Sequence, residues 1–342
     1  MAKASMTNPI YTANIIKSNG TKYRLKGVTT DLTVSHSKDE LAEKVTISLV
    51  NVKVGTKRLH SLISLKDKIY VYANTGNGAK EVFRGFVWDR TLYSDADRRE
   101  LHLICYDRLI YLHKSNDNLF VKKGKKTKDV ITSLAKKWGF KIRYKYESIS
   151  HSKMVFQDES IADIFISILN KVKKKTGKNY AIRLEKNVIV IETVGNNSTV
   201  YKIEKKDNAI SSEYHQTMEE MVTKVKIVKA ETVKKKDDEE ETGKHLTVTS
   251  MKKNAKKYGT LQTILVKEKD DKLSEVKKEA KKILDSKSKP KGEAEVKAVD
   301  NPWIKKGYKV YISTGDLKNY YIVKGIEHDA MDKIMYLEVG KA

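Results

Sequence analysis

The sequence predicts a mainly β protein with α+β inserts, built from two related small β-barrels and one or two α/β insert domains. Three observations carry this. Strand patterns recur at about ten-residue spacing through residues 9–106, the rhythm of a barrel or sandwich. The phrase VYANTGNGAKEVFRGFV, residues 71–87, returns in altered form as VYISTGDLKNYYIVKGIE, residues 310–327. Between the two copies, helical periods alternate with short strands.

Each copy of the phrase has the same parts. Ile69, Val71 and Ala73 alternate with tyrosines in the first, and Val310 and Ile312 flank Tyr311 in the second; such alternation is a strand signature. Thr75-Gly76-Asn77 and Thr314-Gly315-Asp316 follow, with glycine beside Asn or Asp as turn chemistry. A second strand then carries Phe83-Arg84-Gly85 or Lys324-Gly325, where a strand glycine marks a bulge or bend. A third strand closes each unit, with Leu101, Leu103 and Cys105 alternating in one and Ile334, Tyr336 and Glu338 in the other. The spacings from Gly76 to Gly85 and from Gly315 to Gly325 nearly agree, so both copies read as glycine-bent antiparallel meanders, the way small barrels close.

The remaining elements follow in order. Strands are expected at Tyr11–Ile16, Tyr23–Leu25, Leu32–His36 and Val45–Val52, completing a first barrel over residues 1–113. At Asp107 the texture changes: Asp107 stands at an N-cap position before Leu109, Ile110 and Leu112 at helical spacing. Residues 114–205 read as an α/β insert. Thr127 is placed to cap a helix that Gly139 ends; Ser160 with Asp163 approximates a capping box for a second, which Gly177 ends. A hairpin, Tyr180–Leu184 with Val188–Ile191, closes this insert. Residues 206–232 and 293–342 are assigned to a second barrel. The intervening 233–292 is assigned to an insertion of short strands and an amphipathic helix, Ser274–Leu284, and the charged run 231–244 is expected to be an exposed loop or a disordered insertion.

Composition narrows the chemistry. No apolar run is long enough to span a membrane and the N-terminus lacks the core of a signal peptide, so the chain is expected to be soluble and made in the cytosol. One cysteine, Cys105, excludes a disulfide framework, and it occupies an apolar strand position. The net charge of +25 raises nucleic acid as a partner, but only nine of the basic residues are Arg, the side chain that forks onto bases and phosphates. No specific nucleic-acid binding is expected. Residues Gly124-Lys125-Lys126-Thr127 lack the leading glycine of a phosphate loop, no nucleophile elbow or H-E-x-x-H is present, and the eight His do not pair at metal-ligand spacing. His328 beside Asp329 is read as a locally bonded turn residue rather than a general base. No catalytic residue, metal or cofactor is expected.

Two blocks of residues resemble a known family. Lys66-Asp67, Val82-Phe83-Arg84-Gly85, Cys105-Tyr106-Asp107-Arg108 and Tyr111-Leu112 are similar, in that order, to the N-terminal module of contractile-tail baseplate hub proteins, the PBSX-like prophage tail proteins in particular. Asn301-Pro302-Trp303-Ile304-Lys305-Lys306-Gly307 and Tyr321 through His328 resemble their closing module, with Pro302 and Gly307 marking its entry. The resemblance implies tube-type barrels and a homotrimer in which duplicated barrels make a ring of six similar units. Its implied partners are a tail tube or tube-initiator protein, a central spike and surrounding baseplate wedge proteins, in a virion or tail particle assembled in the bacterial cytoplasm. The structural motif positions are then Gly76, Phe83, Gly85, Asp107, Leu112, Pro302, Gly307, Gly315, Gly325 and His328. The competing expectation is a tail-associated peptidoglycan hydrolase or cell-wall-binding protein.

Overall fold

The computed structural model describes residues 8–235, 238–267 and 271–342. The chain divides into two compact units, Met1–Tyr214 with Ala294–Ala342, and His215–Glu293. Among the described residues no helix is long and apolar enough to cross a membrane.

The first unit holds two curled sheets with the same strand order. In the first the neighbours run Thr29–His36, Lys44–Val50, Arg99–Tyr106, Ala79–Ser94, Lys68–Asn74, Ile10–Ile16 and Lys22–Arg24. In the second they run Ala209–Thr217, Lys291–Val299, Ile334–Lys341, Leu317–Asp329, Lys309–Thr314 and Tyr201–Glu204. The copies depart at the sixth position, where Ile10–Ile16 lies antiparallel to its neighbour and Tyr201–Glu204 parallel to Lys309–Thr314, and Lys22–Arg24 has no counterpart in the second sheet order. Each sheet wraps its own core. Ile15, Val45, Ile47, Leu49, Ile69, Val71, Leu101 and Leu103 are fully buried in the first, Ile203, Ala298, Val310 and Ile312 in the second. Each such Val, Leu or Ile side chain stabilises its sheet by ~1.5–3 kcal/mol.

The registers correct the glycine alignment. Lys68 pairs with Phe86 and Phe86 with Tyr106; in the second copy Lys309 pairs with Ile322 and Ile322 with Gly340. Gly85 therefore corresponds to Tyr321, not to Gly325, whose counterpart is Asp89. The spacings agree by accident, because the first hairpin turns over Thr75–Gly78 and carries an extra residue at its bulge, while the second turns over Gly315 and Asp316 alone. Gly315, with φ +54°, supplies the positive φ at the first position of that two-residue turn. What Gly85 provides is clearance: a Cβ there would lie 2.2 Å from the Tyr106 carbonyl oxygen. The third strand of the second copy also has the opposite parity to the expected one. Met335, Leu337 and Val339 face the core, not Ile334, Tyr336 and Glu338.

The α/β insert forms a third core. Lys141–Lys145, Val188–Thr193 and Tyr180–Glu185 make one sheet and Asn116–Val121 with Met154–Ser160 a ribbon, against helices Thr127–Lys137 and Ile161–Thr176. Ser160 Oγ accepts from the Asp163 N–H at 3.0 Å and donates to its carboxylate at 2.6 Å, and Gly177 ends the helix at φ +78°. Thr127 is not a cap: it is the first helical residue, buried, and its hydroxyl contacts His151 Nε2 at 2.8 Å and the Ile149 backbone. Ile110 and Leu112, assigned to the barrel, pack into this core instead. Conversely, Tyr201–Glu204, assigned to the insert, completes the second barrel.

The second unit takes a strand that was assigned to the second barrel. Lys224–Lys235 pairs with Asp238–Lys252 and Gln262–Val266, and the helix Leu273–Lys287 covers one face through Val276, Ala280 and Leu284. The alternating residues Val225 and Ile227 are buried, and they meet this helix rather than a barrel. The charged run 231–244 continues as backbone of the hairpin arms, with residues 236–237 outside the described residues.

Candidate assembly site: the joint between the barrels

One strand belongs to both barrels. Leu317–Asp329 pairs along its first half with Lys309–Thr314 and, at its end, with the opening strand of the first barrel: Ile326 with His36, Glu327 with Ser35, His328 with Val34 and Asp329 with Thr33. The Ala330 N–H extends the ladder to the Leu32 carbonyl at 2.9 Å. The two barrels thus form one continuous sheet, edge to edge.

Side chains lock this seam. The Asp300 carboxylate, fully buried, is shared: Tyr11 Oη of the first barrel donates to Oδ2 at 2.5 Å, and His328 Nδ1 meets Oδ1 at 2.6 Å. Burial, and then the Asp300 charge, push the Tyr11 phenol far above its usual range, so it stays a donor. Lys306 Nζ donates to the carbonyls of Ser37, Lys38 and Glu40 at 2.7, 3.1 and 2.8 Å, clamping the turn that leaves the first barrel's opening strand. Burial pulls its ammonium down to about 8. Lys38 pairs with Glu338 at 3.3 Å, and Lys80 lies 5.6 Å from the Trp303 ring.

Buried titratable groups continue inward. Burial raises Glu43 to about 7, against the opposing pull of Lys305 and His328. Burial and then Glu43 hold Asp107 well above the carboxylate range. Burial, then Lys306, lower His36 to about 3. On the insert's side Gly307, at φ +88°, passes close to Ala181, where a Cβ would come within 2.5 Å of its Cβ. Nearby Arg183 bridges Glu185 and Glu192 at 2.8 and 2.7 Å.

Of the sequence-selected positions, Gly307, Gly325 and His328 come together at this joint, and Pro302 is buried in the turn that leads to Lys305 and Lys306. Gly325 abuts Lys38, whose N–H would lie 3.3 Å from an added Cβ. Phe83 is core of the first barrel and Leu112 core of the insert, while Gly76 and Gly315 turn the two hairpins. Asp107 is not the N-cap expected of it: the helix begins at Ile110 after Leu109, and the Asp107 carboxylate instead accepts from the Leu109 N–H at 2.8 Å in the turn before it. His328 is corrected: it lies within a strand, and its partner is Asp300 rather than a neighbour in a turn. Tyr11, Asp300, His36 and Glu43 were not selected. Only Lys306, inside the quoted Lys-Lys-Gly motif, had a signal. With both Asp300 oxygens engaged, the arrangement serves to hold two modules in register. Among the described residues no group of three or more His, Cys, Asp or Glu is placed to hold a metal.

The fold has known counterparts. The chain is 24% identical over 308 residues to the uncharacterized protein YqbQ of Bacillus subtilis (strain 168), covering 87% of each. It is 26% identical over 262 residues to the phage-like element PBSX protein XkdQ of the same organism, covering 73% of this chain and 76% of that one. Among solved structures it is similar to the tail protein from Neisseria meningitidis MC58, with TM-score 0.69, 14% identity and 97% of both chains covered. The 43 kDa tail protein of prophage MuSo2 from Shewanella oneidensis gives TM-score 0.68 at 12% identity, over 97% of this chain and 98% of that one. The E. coli c3393 protein, a type VI secretion component described as similar to T4 tail proteins gp27 and gp5, gives TM-score 0.52 at 8% identity, over 93% and 76%. A family model described as YQBQ-like matches residues 32–340, and the chain belongs to that family.

Proposed function

We propose that this protein is the structural hub of a contractile phage tail or a phage-tail-like particle. Three copies close into a ring of six barrels, which continues a hexameric tube on one face and receives a trimeric spike on the other. The single observation that carries this reading is the pair of barrels with one strand order, joined edge to edge within one chain. A closed ring needs like patches at each interface. A duplicated barrel offers six similar positions to a tube while keeping three chains for a spike. The tail proteins and the type VI component above support the reading through fold, and the PBSX relative through sequence. The inserts lie outside the ring and meet surrounding baseplate proteins. The particle assembles in the cytoplasm of the bacterial host.

The test is the mass of the full-length protein in solution across a concentration series, with negative-stain images of the same sample. A trimeric ring of six densities is expected. A protein that stays monomeric at every concentration overturns the ring.

A further inference from the structure

The first barrel carries a cleft of about 300 Å³ on the side of the insert. That is the lower end of the range for small-molecule sites, which pair apolar walls with a few convergent polar groups. Its lining comes from the turn after Thr29–His36, the strands Ala79–Ser94 and Arg99–Tyr106, and the helix Ile110–His113. Leu41, Ala42 and Ile110, all buried, supply apolar contact, and Trp88 and Tyr106, both half-buried, supply aromatic surface.

A bulge builds the wall. Val87 pairs with Cys105 and Asp89 with Ile104, so Trp88 is the extra residue between them. In a regular strand consecutive side chains point to opposite faces. Here Trp88 and Asp89 line the same cleft, as expected where a bulge re-aims a side chain. Near-perpendicular ring contacts with Tyr106 at 6.3 Å and Tyr111 at 5.5 Å set the plane of the indole.

The polar groups of the cleft are uncommitted. Among the described residues the carboxylates of Glu40 and Asp89, the His113 ring, the Lys114 ammonium, the Tyr106 hydroxyl and the Trp88 indole N–H make no hydrogen bond or ion pair. Burial, and then the Glu40 charge, raise the Tyr106 phenol, so it stays a donor. Charges of both signs select the guest. A cation drawn by the two carboxylates meets Lys114, and an anion drawn by Lys114 meets two carboxylates. A neutral polyol meets no like charge: its hydroxyls donate to the carboxylates and accept from the lysine, the phenol and the indole N–H. Its C–H face lies against rings that combine an apolar body with a polar tip.

We propose that this cleft binds a neutral sugar ring of a glycan, stacked on Trp88 and held through its hydroxyls by Asp89 and Glu40. The chemistry is that of a pyranose, which an N-acetylated wall-type glycan and a plain hexose chain share. The site stands apart from the ring proposed above and is tested without reference to it.

The experiment titrates the full-length protein with N-acetylated chitotetraose, with maltotetraose and with arginine ethyl ester as a cationic probe, by calorimetry and saturation-transfer NMR. Saturable binding of at least one sugar is expected, weakened by ~tenfold or more in Asp89→Ala and in Trp88→Ala. Phe120→Ala, which removes an exposed ring of the insert, leaves binding unchanged. Asp89 is exposed, so its variant keeps the fold; Trp88 packs against the insert core, and the melting of its variant is measured alongside. Binding of chitotetraose alone assigns the site to acetylated glycans, and binding of maltotetraose to plain hexose chains. No sugar binding, sugar binding that survives Asp89→Ala, or binding of arginine ethyl ester in place of both sugars overturns the proposal.

Discussion

Replacing Tyr11 by Phe removes one hydroxyl from the joint and nothing else. That hydroxyl is a donor to Asp300 at 2.5 Å, and the carboxylate has no exposure through which water could replace it. A hydrogen bond to a charged acceptor contributes ~1.5–3 kcal/mol, and the orphaned oxygen adds its own desolvation cost. The expected loss is about 2 kcal/mol, which for a unit of this size lowers the melting temperature by roughly 4–8 °C. Asp300→Asn disturbs both the Tyr11 and the His328 contacts and is expected to cost about 2–4 kcal/mol. Because the two substitutions share one bond, the double variant falls short of their sum by about 1–2 kcal/mol. Calorimetry of the full chain measures the shifts, and hydrogen exchange locates them: amides at Thr33–His36, on the far side of the seam, exchange faster in Tyr11→Phe. Tyr320→Phe, at an exposed ring, is the control and is expected to stay within ~0.5 kcal/mol. If Tyr11→Phe melts like the parent and residues 33–36 keep their protection, the seam is not held by this network.

Three further outcomes are expected. Gly85→Ala places a methyl 2.2 Å from the Tyr106 backbone oxygen, which cannot yield, and costs about 3 kcal/mol; Gly340→Ala meets only the flexible end of Lys324 and is near neutral, both read by urea unfolding. Glu43, raised from 4.5 to about 7 chiefly by burial, contributes stability that is full below pH 4.5 and lost as pH rises through 7. Stability measured across that window should therefore fall, and Glu43→Gln should flatten the fall; an unchanged slope refutes the assignment. Cys105, buried and with its thiol pushed up by burial, is expected to resist a thiol reagent such as DTNB in the native protein and to react fully in denaturant.

The repeated phrase was legible because it is local. Val71 with Tyr72, or Val310 with Tyr311, announces a strand without reference to anything distant, and Ser160 with Gly177 brackets a helix by the same short-range chemistry. The glycine correspondence failed because hairpin length and bulges are paid out by the tertiary register, which a count of residues between Gly76 and Gly85 does not contain. Strand Lys224–Lys235 misled for a related reason: alternation says that one face is buried, not what buries it. Beyond His328 and the Lys306-Gly307 motif, the seam's polar network was hidden. Tyr11 and Asp300 are 289 positions apart, and nothing in either neighbourhood marks a tyrosine that will meet a carboxylate from the other end of the chain. Asp300 stands immediately before the Asn-Pro-Trp motif and carries no local mark of its own.

The unit His215–Glu293 departs from the strand Ala209–Thr217 and returns through Lys291–Val299, which are neighbours in the sheet. Its two attachment points thus sit where a short hairpin turn would otherwise connect adjacent strands. Replacing residues 218–290 by such a turn leaves the strands Ala209–Thr217 and Lys291–Val299 whole. The position is a ready port for exchange, at which a lineage, or an engineer wishing to fuse a reporter to the particle, can trade one appended domain for another without redesigning the scaffold that bears it.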